Sequence, residues 1–306
     1  MDARIIIGLF ALTLVKATPL TLGALSGIFC ERSGVVNIAI EGMMLTAAFT
    51  GFSMTFFTGS SILGIIVALL TGVLLALLHA VLSIRFEVNQ IISGTVINLM
   101  AIGVTGYFNR VIFIGKVVPG VTLLPLIKIP LLSEIPFIGP ILFIHQPIVF
   151  TMLLLVVVTH VVLFYTPWGL RMRAVGEHPR AADTLGINVH RVRYINVLVG
   201  GAIAGLAGAF LTLEAVGTFE KLMSNGRGFI SLAAMIFGKW TPFGALGAAL
   251  LFGFAEALGV RLQIEDIGVP YQFVSMLPYL LTIIILAGVV GRATPPAALG
   301  TPYRKQ

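Results

Sequence analysis

The feature that most limits what this chain can become is a succession of apolar runs, each about as long as a bilayer is thick. Crossing a hydrocarbon core of ~30 Å takes about 20 helical residues. Runs of that order cover Ile5 to Phe29, Ile38 to Phe57, Ser61 to Ile84, Ile91 to Phe108, Ile148 to Tyr165, Tyr194 to Leu213, Phe243 to Val260 and Phe273 to Val290. In hydrocarbon every backbone N–H and C=O must find its partner within the protein, so runs like these become helices. With 58% of the 306 residues hydrophobic and only 10% charged, a soluble globular domain is excluded. The expected fold is all-α: a polytopic membrane helical bundle of about 8 full spans plus one broken segment, forming one domain over residues 1–306. The opening MDARIII runs on into apolar sequence without a credible cleavage site, so it reads as a retained first span.

Several runs carry interruptions. Lys16 and Pro19 fall inside the first, which implies a kinked helix whose freed backbone groups face protein or a cavity. Glu31 and Arg32 read as a turn, Asn37 as a cap, and Glu41 as a carboxylate near the start of the next span. Gly115 to Pro147 holds six prolines, which rules out a straight spanning helix and implies an outer loop with interfacial pieces. Phe229 to Gly238 amounts to about 15 Å of helix, too short to cross, and meets Lys239-Trp240-Thr241-Pro242. Two half-length helices around such a break are the pattern expected where backbone lines a cavity. Gly201-x-x-x-Gly205 and Ala204-x-x-x-Gly208 have the small-residue spacing that lets helices approach closely, read here as packing within one bundle.

One long polar island stands between spans, Pro167 to Arg193. It carries five of the chain's 19 Lys and Arg: Arg171, Arg173, Arg180, Arg191 and Arg193. Arginine-rich short loops stay cytoplasmic, which places this island and the C-terminus inside and the N-terminus outside. Pro179 suits a first helical position, Arg180 to Leu185 are ordinary helix formers, and Gly186 suits the C-cap. Ala181, Ala182, Leu185 and Ile187 would give that short helix a small, mostly apolar face, with Arg180 and Asp183 turned to water or a partner. Two readings follow: a basic loop that only obeys the topology rule, or a knob shaped to dock into something else.

The net charge of +7 sits in loops and at span ends without interleaved aromatics, so topology rather than nucleic acid explains it. The single Cys30 forms no internal disulfide. No lysine is followed by Ser or Thr, so the chain has no GxxxxGK[ST] phosphate loop. There is no HExxH, and no catalytic or metal-binding residue set is expected. What remains are polar groups at membrane depth: Lys16, Asn37, Glu41, Asn98, Asn196, Glu214, Lys239 and Glu256. Each is either hydrogen-bonded between helices or part of a substrate route. Asn37, Glu41, Asn98 and Lys239 are the pathway candidates, Glu41 and Asn98 foremost, and Glu256 is expected to snorkel or to pair with Arg261.

The spacing Ala181-Ala182-x-x-x-Gly186 resembles the coupling-helix signature of ABC importer permeases, with Arg180 where a glutamate is usual. That departure is typical of the branch for ribose, branched-chain amino acids and nucleosides. ERSGVVNIAIEGMM, from Glu31 to Met44, resembles the opening motif of the nucleoside and simple-sugar permeases within it. The resemblance implies that Arg173, Gly176, Pro179, Arg180, Ala181, Ala182, Asp183, Leu185 and Gly186 form an ATPase-coupling element. It implies a bacterial inner-membrane subunit that binds no cofactor itself, with ATP and magnesium on a partner ATPase. A second homologous permease and an extracytoplasmic substrate-binding lipoprotein complete the assembly. The expected substrate is a nucleoside, with a simple sugar or branched-chain amino acid as alternatives. An ion-coupled secondary transporter drawing on Glu41, Glu214 and Glu256 is the alternative from another class.

Overall fold

Residues 3–113, 120–264, 276, 280 and 293–305 are described by the computed structural model; the last apolar run, Phe273 to Val290, lies outside them apart from Met276 and Leu280. The apolar runs form helices: α1 Ala3–Arg32, α2 Ile40–Thr58, α3 Ser61–Ala80, α4 Gln90–Phe113, α5 Ile138–Leu142, α6 Pro147–Tyr165, α7 Pro167–Glu177, α8 Pro179–Thr184, α9 Val189–Phe210, α10 Arg227–Phe237 and α11 Pro242–Ile264. Among the described residues α1, α2, α3, α4, α6, α9 and α11 are long and apolar enough to cross a membrane. The protein is therefore a helical, multi-pass membrane bundle. One wider helical turn extends α3 through Val81–Arg85 and another extends α9 through Leu211–Val216.

The bundle closes around α1, α2 and α9, whose residues from Leu22 to Ile28, Met43 to Leu45, Ala47 and Ala48, and Ala204 to Phe210 are buried. The tightest approach is between α3 and α9. A Cβ at Gly72 would fall on the carbonyl oxygen of Gly201 and against the backbone of Gly205, so the two helices touch main chain to main chain. Gly208 meets α2 in the same way, at the Met44 carbonyl. The small-residue spacing in α9 is thus internal packing, as expected, and it fixes three helices together.

Three local readings change. Helix α1 runs on through Glu31 and Arg32, which were expected to form a turn; Glu31 is buried because the Trp240 indole N–H donates to it at 2.6 Å. Of the two helices flanking the Lys239 break, only α10 is short, at 11 residues, whereas α11 has 23 and is a full span. The polar island contains an additional helix, α7, started by Pro167 after Thr166, whose hydroxyl accepts from the Gly169 amide. The proline-rich stretch folds as a two-residue antiparallel pair, Ile127 with His145 and Lys128 with Ile144, and the single-turn α5. Burial holds the His145 imidazole below its ordinary pKa, against the opposing effect of a hydrogen bond to Ile141.

Because the Gly72 contact is main chain on both sides, no rotamer change relieves an added side chain. Gly72→Leu is expected to force α3 from α9 and destabilise the protein by about 3 kcal/mol or more. Gly103→Ala, where nothing lies within 4 Å, should be neutral. Thermal unfolding of the detergent-solubilised variants, followed by size-exclusion chromatography, tests the contrast.

Candidate functional site

Two stretches of the chain lie inside the bundle without being helical, and the site is built where they meet. The first is the turn 33–39 between α1 and α2. Gly34, at φ +91°, reverses the chain, and the backbone beyond it is held by side chains of other helices. The Gln90 carbonyl oxygen accepts from the Val36 amide at 2.7 Å, and His79 Nε2 lies 2.9 Å from the Val36 oxygen. Asn37 is fully buried; its Oδ1 accepts from the Ala39 amide, and its Nδ2 points at the sulfurs of Cys30 and Met43. Asn98 then bridges the end of the turn, donating to the Ile38 carbonyl at 3.0 Å and accepting from the Gly42 amide at 2.8 Å. Asn98 stands two turns, or about 12 Å, along α4 from its Gln90 start, so α2 begins well inside the bundle.

The second stretch, 217–226, returns from the opposite end of α9 into the interior. It begins where the Gly217 carbonyl accepts from the Val121 amide at 2.7 Å and passes Phe219, whose ring packs edge-on against Phe49 at 5.1 Å. Leu222, Asn225 and Gly226 all have positive φ, which folds the last residues into consecutive tight turns. Those turns deliver the N-terminus of α10 to Glu41. The carboxylate accepts from the Gly226 amide at 2.8 Å and from the Gly228 amide at 2.6 Å, one oxygen to each. A carboxylate on two free amides at a helix N-terminus is a charge-assisted cap that also meets the helix dipole. Arg227, the first residue of α10, pairs with Glu256 of α11 at 2.9 Å and also donates to the Met223 carbonyl.

Between these stretches lies a cavity of about 210 Å³ lined by Glu41, Gly42, Asn98, Ser224, Asn225 and Gly226. Farther along α2 and α4, about 18 Å from Asn98, a wider recess of about 520 Å³ is lined by Phe52, Asn109, Arg110, Thr218, Glu220 and Lys221. The same three elements, α2, α4 and the 217–226 segment, wall both. Of the four residues expected on a pathway, Glu41 and Asn98 meet at the inner cavity. Asn37 lies beneath it, turned toward Cys30, and Lys239 sits at the far end of α10 with its side chain exposed.

At that far end, the Lys239–Trp240 turn has both residues at positive φ and is clamped to α1. Arg32 donates to the carbonyls of Trp240 and Lys239, and Glu31 accepts from Trp240. Around the same end of the bundle stand α7, α8 and the tail 293–305. Helix α8 forms between Pro179 and a Gly186 at φ +80°, with the Ile187 amide donating back to Ala182. Its expected apolar face is divided: Ala182 is buried against the protein, Ile187 is half-buried, and Ala181 and Leu185 point out, Leu185 with 81% of its surface exposed. Arg180 and Gly186 are exposed beside them, and Asp183 is half-buried. Gly176 is not on the surface at all, because it crosses α1 at the Arg32 carbonyl, where a Cβ would clash. Arg173 lies over the Phe164 ring at 5.3 Å.

The tail was not anticipated as part of this region. Ala298 donates to the Gly176 carbonyl, Ala297 to Glu177, and Gly300 to the Gly34 carbonyl. Arg304 grips Glu87 with two nitrogens, at 2.6 and 2.8 Å, and holds that carboxyl below the usual carboxylate range. A groove of about 840 Å³ runs between the tail and α8, with His178, Arg180, Tyr303 and Arg304 on its walls. Among the described residues no three His, Cys, Asp or Glu side chains gather where a metal ion would bind.

The bundle thus combines several membrane-length helices with broken backbone around a small cavity that Leu45, Ile102 and Leu222 also line. The chain belongs to the family of permease components of branched-chain amino acid transport systems, whose model matches residues 9–293. It is 43% identical to the guanosine ABC transporter permease protein NupQ of Bacillus subtilis, over 96% of this chain and 95% of that one. It is 40% identical to the nucleoside ABC transporter permease protein NupC of Lactococcus lactis, over 95% of each. A putative glucose ABC transporter permease of Haloferax volcanii is 35% identical over 98% of each. No solved structure matches. The family consists of transport subunits, not enzymes, and implies a separate ATPase partner that does the ATP and Mg²⁺ work and a substrate-binding partner. An ion-coupled transporter acting alone is thereby set aside.

The cap on α10 is the most exposed point of this geometry to mutation. Glu41→Ala leaves two part-buried amides bare and is expected to cost about 1 to 3 kcal/mol, whereas Glu41→Gln, which keeps one acceptor, should lose about half as much. Thermal unfolding of the purified variants measures both; equal losses would mean that the acceptor geometry does not matter.

Proposed function

We propose that this chain is a transmembrane subunit of an ATP-driven importer for nucleosides, and that the Glu41–Asn98 cavity lies on the route they take. The observation that carries the substrate class is near-full-length identity of 43% and 40% to permeases named for guanosine and nucleosides. The charges around the cavity support it. Glu41 is spent on the amides of α10, and Arg227 is paired with Glu256. A neutral solute with hydroxyl and amide groups would meet hydrogen-bonding partners there without a free charge, whereas a zwitterionic amino acid would find neither counter-ion unengaged. The relative named for glucose favours a simple sugar as the second reading.

In this reading residues 1–306 are one transmembrane domain with the 167–193 segment and the C-terminus in the cytoplasm. The arginines of that end support the orientation. The exposed side of α8, with Arg180, Ala181, Leu185 and Gly186, enters a groove of the ATPase, and α7 carries Arg173 and Gly176 behind it. Leu185 supports this, since a leucine this exposed next to polar loops is an anchor lacking its pocket. A second, homologous permease completes the pathway, and an extracytoplasmic lipoprotein delivers the nucleoside. ATP and Mg²⁺ stay on the ATPase.

Bacterial cells lacking this chain should lose uptake of labelled guanosine while keeping that of glucose; the reverse pattern would favour the sugar reading. Leu185→Asp should insert normally yet lower the amount of ATPase that co-purifies by about tenfold or more. Wild-type recovery of the ATPase would remove α8 from the interface. Ala182 is a poorer probe, because a charge there would first disturb the packing of α8 on its own chain.

A further inference from the structure

The side chain of Arg193 is one of the largest in the fully buried interior, with 2% of its surface exposed. It arises from the first turns of α9 and reaches two other segments. Nε donates to the Ser33 carbonyl at 3.2 Å and Nη1 to the Thr301 carbonyl at 2.9 Å. Among the described residues no carboxylate lies against it, and Nη2 has no acceptor. Burying a guanidinium without a counter-ion costs several kcal/mol, and a neutral side chain of similar size would pack here at lower cost. Stability therefore gives no account of an arginine at this position. Its reach does: it is the point where α9, the 33–39 turn and the C-terminal tail are held together.

The hydrogen bonds around it form a continuous path. From α7, the Gly176 carbonyl and the Glu177 carboxylate hold the tail at Ala298 and Ala297. The tail is held to the turn by Gly300 on Gly34, and to Arg193 by Thr301. The turn then passes through Val36 and Asn37 to Asn98 at the cavity wall. The unfilled Nη2 faces the bare Cα of Gly34, with the Ala298 carbonyl across the same gap; a Cβ on Gly34 would stand 2.9 Å from Nη2 and 3.3 Å from that oxygen. The spare donor and the Ala298 carbonyl thus share one gap beside Gly34, where the tail meets the turn.

We propose that Arg193 is a positioning residue that transmits displacement of α7 and α8, through the tail and the 33–39 turn, to the cavity at Asn98 and Glu41. The proposal rests on the reading of α8 as the ATPase contact.

The test uses the complete importer, with its ATPase and binding protein, in proteoliposomes. Arg193→Met should still co-purify the ATPase and hydrolyse ATP within about twofold of wild type, while solute uptake per ATP falls about tenfold; Arg193→Lys should recover part of that ratio. Glu177→Ala removes the carboxylate that holds the tail at Ala297 without touching Arg193, and should uncouple in the same way. An unchanged ratio of uptake to hydrolysis in these variants overturns the proposal. So does a parallel fall of both, which is what a merely structural role predicts. Should Arg193→Met fail to accumulate, Arg193→Lys and Glu177→Ala decide by the same ratio. Failure of the wild-type chain to bind an ATPase would instead remove the importer reading beneath it.

Discussion

A helix that begins inside a membrane bundle leaves amide hydrogens that no water can reach, each costing several kcal/mol if unmet. Three side chains meet that need here. Glu41 takes the amides of Gly226 and Gly228 at the start of α10, Asn98 takes the Gly42 amide at the start of α2, and Glu214 takes the Ile148 amide at the start of α6. Without the first two, neither the 33–39 turn nor the 217–226 segment could lie at its present depth, and the small cavity between them would not exist. Of the acids that an ion-coupled mechanism would have drawn on, Glu41 is thus occupied by backbone and Glu256 by Arg227, while Glu214 gives one oxygen to the Ile148 amide. The same polar groups that look out of place in an apolar sequence are what permit the chain to break its helices there.

Much of this was legible in the sequence, and the limits have physical causes. Length and apolar composition identified the spans, because the thickness and the chemistry of hydrocarbon impose them. Pro179 and Gly186 marked the two ends of α8, since φ is fixed at one and must be positive at the other. The short run before Lys239 disclosed a break, although α11 proved to be a full span. Partners at long range were not legible. Glu31 reads as a turn residue until Trp240, 209 positions away, supplies the indole N–H that lets it stay buried. Glu41 likewise gives no sign that its partners lie 185 and 187 residues on. Helix α7 was missed although Thr166 and Pro167 form a recognisable start, because the arginines drew the reading toward a loop.

Two kinds of contact divide the molecule into parts that can and cannot move. Where Gly72 meets Gly201 and Gly205, backbone lies on backbone, and any separation forfeits dispersion contacts over the whole crossing with nothing to replace them. Caps differ in kind. A carboxylate or amide on a flexible side chain can follow a helix end through an ångström or more, or exchange one amide for the next, while the bond persists. The α3–α9 pair and its contact with α2 are accordingly the frame. The 217–226 segment, already folded through left-handed conformations at Leu222, Asn225 and Gly226, and the 33–39 turn are the parts joined to it mainly by side chains. A cavity enclosed by a rigid frame on one side and capped, broken backbone on the other is suited to changing shape by small displacements. The hydrogen bonds from α7 to the tail, and from the tail to Gly34, join the polar end of the bundle to the 33–39 turn.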